Sequence, residues 1–219
     1  MLKPLTKPFW ILCCFVLLSG CQSAYYSAME SFGKHKRDLL ADEVENAQEA
    51  QQDAQEQFTS ALEQLSVLIE FDGGDLQDQY EATLANYEAS EDAAAEVSNR
   101  IKNIQDVGDA LFDEWADEIE QYSSAKLKSQ SRVKMKDTRR KYDRLVKAMV
   151  RAESKMDPVL AALKDNTLFL KHNLNAKAIG SLEGEYNDIK ADINALIGEM
   201  NTAIKESEYF LSLLNSEEG

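Results

Sequence analysis

Leu40, Val44, Ala47, Gln51, Ala54, Phe58, Ala61, Leu65 and Leu68 step along the chain by four and three residues in alternation. This is the heptad spacing of a helix that buries one stripe against a partner, and it predicts a first helix from about Tyr26 to Phe71. At ~1.5 Å per residue such a helix is about 65 to 70 Å long, which makes the molecule a rod. Asp72-Gly73-Gly74-Asp75 interrupts the pattern. Paired glycines supply the left-handed backbone angles of a tight reversal, and Asp75 is placed to cap the next helix. A second heptad line runs through Tyr80, Leu84, Tyr87, Ala94, Val97, Ile101, Ile104, Gly108, Leu111, Trp115 and Tyr122, broken by the polar Glu91 and ended by Ser123 and Ser124. A third helix is expected from about Ser129 to His172, with Tyr142, Leu145, Met149, Ala152, Met156, Val159, Leu163 and Leu170 on its seam. Pro158 lacks a backbone donor and is expected to kink or restart that helix near Asp157. After a turn at Asn173 to Ala176, a fourth helix carries Ile179, Leu182, Tyr186, Ile189, Ile193, Leu196, Met200 and Ala203 and fades into Ser216 to Gly219. The pattern therefore predicts an all-α fold: an elongated antiparallel bundle of about four long helices with coiled-coil-like heptad packing.

The first 20 residues follow a different rule. Lys3 and Lys7 precede an apolar run from Phe9 to Leu18, and small residues close it, the layout of a secretory signal. The run is shorter than the roughly 20 apolar residues that span a bilayer. Leu18-Ser19-Gly20-Cys21 resembles the lipobox of bacterial lipoproteins, which predicts cleavage before Cys21 and acylation of its thiol and new amine. Several acyl chains hold where one is marginal, since each buried methylene contributes about 0.8 kcal/mol. The expected organisation is a signal peptide at 1–20, a lipidated tether at 21–28 and a helical bundle domain at 29–216. Cys13 and Cys14 would leave with the signal, so Cys21 has no disulfide partner. Gln22 stands where an inner-membrane retention signal would place Asp, so the periplasmic face of the outer membrane of a Gram-negative bacterium is the expected address.

Charge sharpens the picture of the bundle. The chain holds 24 basic and 39 acidic residues and a net charge of -15, which argues against a specific nucleic-acid partner. From Ala41 to Gln121 there are 23 acidic residues against two basic ones, whereas from Lys126 to Lys155 there are 12 basic against three acidic. Opposite charges beside an apolar seam select partner and orientation, so the basic third helix is expected to pair with the first two. Its residues Arg132, Lys136, Arg139, Arg140 and Arg144 form the alternative candidate, a basic face for a membrane, an anionic polymer or nucleic acid. Lys34, Lys36 and Arg37 lie about 15 residues beyond the acylated end and are candidate contacts to anionic headgroups, where each charge contributes about 1 kcal/mol.

The residues of a catalyst are scarce. No G-x-x-x-x-G-K-[ST] phosphate loop, H-E-x-x-H zinc pair or G-x-S-x-G nucleophile turn occurs. Neither His35 nor His172 has a glutamate three positions earlier, as the ligands of bundle di-iron sites would. His172 is better placed to satisfy carbonyls at a helix end, and Asp72 with Asp75 fits a turn and cap better than a calcium site. No enzyme activity, metal, cofactor or small-molecule substrate is expected.

Four segments together carry a family resemblance: Gly33-Lys34-His35-Lys36-Arg37-Asp38-Leu39-Leu40, Phe71-Asp72-Gly73-Gly74-Asp75-Leu76, Ala110-Leu111-Phe112-Asp113-Glu114-Trp115 and Phe169-Leu170-Lys171-His172-Asn173-Leu174-Asn175-Ala176. Through them the chain resembles a family of bacterial envelope proteins of unknown function, DUF2959, over nearly all of the part after the signal. The resemblance implies a helical protein of about this size and brings no catalytic or binding residues. Some members carry automatic labels that refer to DNA repair ATPases, yet the phosphate-binding loop an ATPase needs is missing from this sequence. The sequence thus predicts a structural or adaptor lipoprotein, tethered to the membrane and presenting helical surface to another envelope protein or to itself. The alternative is a peripheral membrane-binding or remodelling module that uses the basic third helix.

Overall fold

A computed structural model of the protein describes residues 35–71, 73, 75–173 and 176–216. Four helices follow one another: α1 at Lys36–Ile69, α2 at Leu76–Gln121, α3 at Ala125–His172 and α4 at Ala176–Ser216. Each packs on the next, α1 also packs on α4, and the diagonal pairs barely meet, so the chain closes an up-and-down four-helix bundle. The 48 residues of α3 make the longest edge, about 72 Å.

Local chemistry sets the helix ends. The Asp38 carboxylate accepts the His35 backbone N–H at 3.2 Å, and α1 begins just after it. Asp75 Oδ1 accepts Gln77 N–H at 2.8 Å and opens α2 as its sequence position suggests. Ser124 accepts Leu127 N–H at 3.4 Å, so α3 starts at Ala125, four residues before the expected Ser129. At the far end of α3 the Asn173 side chain donates to the Phe169 carbonyl, 2.9 Å away, and its backbone N–H donates to Leu170. Asn173 thus takes the capping role expected of His172, which is exposed. Asp72, Gly74, Leu174 and Asn175 lie outside the described residues, as do Cys21 and Lys34.

The core follows the heptads with two departures. Every seam position of α1 from Leu40 to Leu68 is buried, including Gln51. On α2 the buried line runs through Thr83, Tyr87, Ser90, Ala94, Val97, Ile101, Ile104, Gly108, Phe112 and Ile119, while Tyr80, Leu84, Leu111 and Trp115 are half-buried and Tyr122 is exposed. A straight helix turns by 3.6 residues, so a strict heptad drifts about 20° per repeat, and over 46 residues the seam changes phase. The second departure is Pro158. α3 runs unbroken through it, and Pro158 is exposed, so the carbonyl one turn back that loses its partner faces water.

The ends of the bundle are staggered. Lys36 pairs with Glu114 at 3.0 Å and Arg37 donates to the Leu214 carbonyl, which sets the first turn of α1 level with Glu114 and with the last turns of α4. The seven residues from Trp115 to Gln121 continue past that level for about 10 Å, together with the start of α3. No residue of α3 before Tyr142 is buried.

Candidate functional site

The candidate site is the end of the rod at which α1 starts, together with the basic half of α3 that starts there. Its interior is aromatic. Tyr142 lies edge-on to Phe112 with ring centroids 5.3 Å apart and faces Phe210 at 6.3 Å, while Trp115 stacks on Phe112 at 6.4 Å. The Trp115 indole N–H donates to Ser131, 2.9 Å away, and Tyr142 donates to the Ile104 carbonyl at 3.2 Å. The Tyr142 ring occupies space that only glycine leaves open: a Cβ at Gly108 would stand 2.4 Å from it. Burial, reinforced by the Asp109 carboxylate and partly offset by Arg139, pushes the Tyr142 hydroxyl up to about 12. Beside this cluster a cleft of about 190 Å³ opens among Arg37, Trp115, Glu118, Lys134 and Leu214.

The basic residues of α3 differ in the helix they reach. Arg132 and Lys128 both reach Glu120 on α2, at 2.6 and 2.8 Å, and hold its carboxyl below the usual range. Arg139 reaches Asp109 on α2 at 3.4 Å and lies 4.8 Å over the Phe112 ring. Arg144 and Arg151 turn to α4, to Glu206 at 2.8 Å and Glu199 at 3.9 Å. The expected pairing of α3 with α1 and α2 is therefore half corrected. Its partners are α2 and α4, because an up-and-down bundle puts α1 diagonally across from α3. Arg140 bonds Asp137 on its own helix, and Lys136, Lys147 and Lys155 make no ion pair among the described residues.

Of the candidate headgroup contacts, Lys36 has a side chain 11 % exposed and paired with Glu114, Arg37 binds the Leu214 carbonyl, and Lys34 lies outside the described residues. Lys136, Arg140 and Arg144 do come together on one outward line of α3, whereas Arg132 and Arg139 lean toward α2. Sequence reasoning missed Val133, Val150 and Tyr209, which are large, apolar and exposed beside that line. Their off-seam positions in polar surroundings were the signal. Among the described residues no group of three or more His, Cys, Asp or Glu is placed to hold a metal, and no helix is long and apolar enough to cross a membrane.

No curated protein matches the chain. The family model described as "Protein of unknown function (DUF2959)" matches residues 25–214, a span that takes in all four helices nearly to the end of α4. The chain belongs to the DUF2959 family.

Proposed function

We propose that the chain is a non-catalytic structural or adaptor lipoprotein of the bacterial envelope, held by an acylated Cys21 at the periplasmic face of the outer membrane. The observation that carries this reading is the tetrad Leu18-Ser19-Gly20-Cys21 closing the apolar run Phe9 to Leu18. The bundle supports it in two ways. α1 begins 15 residues beyond Cys21, a length that reaches at most about 50 Å, so the rod stays within reach of the surface that holds the lipid. His35 and His172 stand at opposite ends of the bundle, so the groups most suited to proton transfer do not converge. Long acidic faces on α1 and α2 then serve as the helical surface offered to an envelope protein or to a second copy.

The test is metabolic labelling of cells with a palmitate analogue, followed by fractionation. The natural chain incorporates label and sediments with outer membrane, and Cys21→Ala loses both properties. Equal labelling and membrane retention of the variant would overturn the proposal.

A further inference from the structure

On α3, Lys136, Arg140, Arg144, Lys147, Arg151 and Lys155 follow one another by steps of four, four, three, four and four, and all six are exposed. That spacing keeps a single line on the outer face of a helix for 19 residues, about 28 Å. We propose that this line is a docking surface for the anionic phospholipid headgroups of a bilayer, and that the rod lies along the membrane on this edge rather than standing on its end.

Four observations converge on it. First, the sign is opposite to that of the molecule: a chain of net charge -15 gathers six cations on one edge. An evenly solvated surface of this protein would be acidic there. Second, the internal ion pairs leave these cations available. Lys136, Lys147 and Lys155 have no ion pair among the described residues, and Arg140, Arg144 and Arg151 keep side chains 69 %, 54 % and 54 % exposed while paired. A guanidinium with more than half of its surface in water still presents donors to a phosphate. Third, the line is bordered by exposed apolar and aromatic groups. Val133 is 61 % exposed one turn before Lys136, Val150 is 40 % exposed, and Tyr209 is 43 % exposed with Arg144 4.9 Å above its ring. Apolar side chains and an amphipathic tyrosine among cations suit the boundary between headgroups and acyl chains. Fourth, the line begins at the right end. Lys136 follows closely on Ser131, which bonds Trp115 just past the level where α1 starts, and the cations run from there toward the middle of the rod.

The attraction of each cation to an anionic surface decays over a Debye length of about 10 Å at 0.1 M salt. Only a rod lying on this edge brings all six within that distance. The choice of edge rests on the chain being anchored at Cys21, but binding by the edge does not.

The test uses residues 21–219 with Cys21→Ser, which hold every described residue and carry no lipid, and measures co-flotation with vesicles. The chain floats with phosphatidylglycerol-containing vesicles, does not float with phosphatidylcholine alone, and is released by salt. Lys136→Glu with Lys147→Glu breaks no internal ion pair and weakens the binding more than about tenfold. The matched pair Lys171→Glu at the far end of α3 and Lys190→Glu on α4 leaves it within about twofold, and circular dichroism checks that both variants keep their helix. Equal flotation with neutral vesicles, or equal loss in both double variants, overturns the proposal. So does a salt-sensitive dimer that the first variant abolishes without any vesicle binding, since the edge would then belong to the acidic face of a second copy. Because no acyl chain is present, failure here leaves the Cys21 anchor standing, and failure of palmitate labelling leaves this edge standing.

Discussion

The aromatic end, where α1 starts, and the middle of the bundle solve the same packing problem with opposite materials. At the aromatic end Phe112, Tyr142 and Phe210 fill the space between helices, and Gly108 is reduced to backbone to admit the Tyr142 ring. In the middle, α1 turns Ala47, Ala50, Gln51 and Ala54 inward, and Ala94, Ala152 and Ala203 are buried on the other three helices. The Asn103 to Glu43 bond sets the register that brings Ala94 and Val97 opposite Gln51. Gln51 is fully buried, and neither end of its amide finds a hydrogen-bond partner among the described residues. Large interlocking rings define one arrangement of the helices, whereas small side chains permit close approach and leave a polar group stranded. The aromatic end should therefore hold most of the stability per residue, and the middle should be open to improvement.

Phe210→Ala is the strongest way to break this contrast. Phe210 is 1 % exposed, and removing a buried phenyl ring costs about 3–5 kcal/mol in lost transfer energy and cavity formation. Urea denaturation reads it directly. A loss below about 1 kcal/mol would mean that the rings are not interlocked.

Tyr142 gives the same end a pH dependence. Its folded value is raised to about 12 from 10.0, so the folded state resists ionisation and the unfolded state does not. The contribution is complete below pH 10 and is lost as pH rises through 12, amounting to about 2–3 kcal/mol. Tyr142→Phe cannot ionise. The natural chain should be the more stable below pH 10, where it keeps the bond to the Ile104 carbonyl, and its advantage should shrink or reverse toward pH 12. A constant difference across that window would show that Asp109 and burial do not act on the hydroxyl.

Gly108→Ala tests the fit between ring and backbone. Alanine gains about 0.5–1 kcal/mol of helix preference over glycine, but its methyl overlaps the Tyr142 ring, and overpacking costs about 1–3 kcal/mol. A net loss is expected, and Tyr142→Leu in the same chain should recover part of it. A stabilised Gly108→Ala would show that the ring moves aside freely.

For the middle, Gln51→Met keeps the length of the side chain and removes both unpaired polar atoms, so the chain should become more stable by about 1–2 kcal/mol. A destabilised variant would mean that the amide is satisfied in solution and contributes to holding the four helices in register.

These two regions were unequally legible in the sequence. The α1 seam could be read residue by residue because its heptads are unbroken, and Gly73 with Asp75 marked the reversal after it. The burial of Gln51 followed from its seam position, but its lack of a partner did not, because that depends on what the other three helices place opposite. Gly108 and Tyr142 were each visible as seam residues, yet 34 positions separate them and no local pattern pairs them. The start of α3 was missed because Lys126, Lys128, Ser129 and Gln130 lack apolar periodicity, although Ser124 was a cap in plain view. Of the candidate site, the basic content of α3 was legible. Which cations face outward and which lean on α2 or α4 was not, since charge attracts every acidic helix alike and only the order of the bundle excludes α1.

The smallest effect belongs to the ion pairs that join α3 to its neighbours, and it separates orientation from stability. Arg144 and Glu206 meet at 2.8 Å with side chains 54 % and 26 % exposed, a setting in which solvent and salt screen most of the attraction. A double-mutant cycle with Arg144→Ala and Glu206→Ala should give a coupling of about 0.2–1 kcal/mol that falls as salt is added. Arg144 also lies over Tyr209, so the single substitution at Arg144 should cost more than the coupling alone. A coupling of about 2 kcal/mol or more, insensitive to salt, would place the pair in an environment as closed as the aromatic end, and the division of the rod into a core that holds it and an edge left free for other charges would fail.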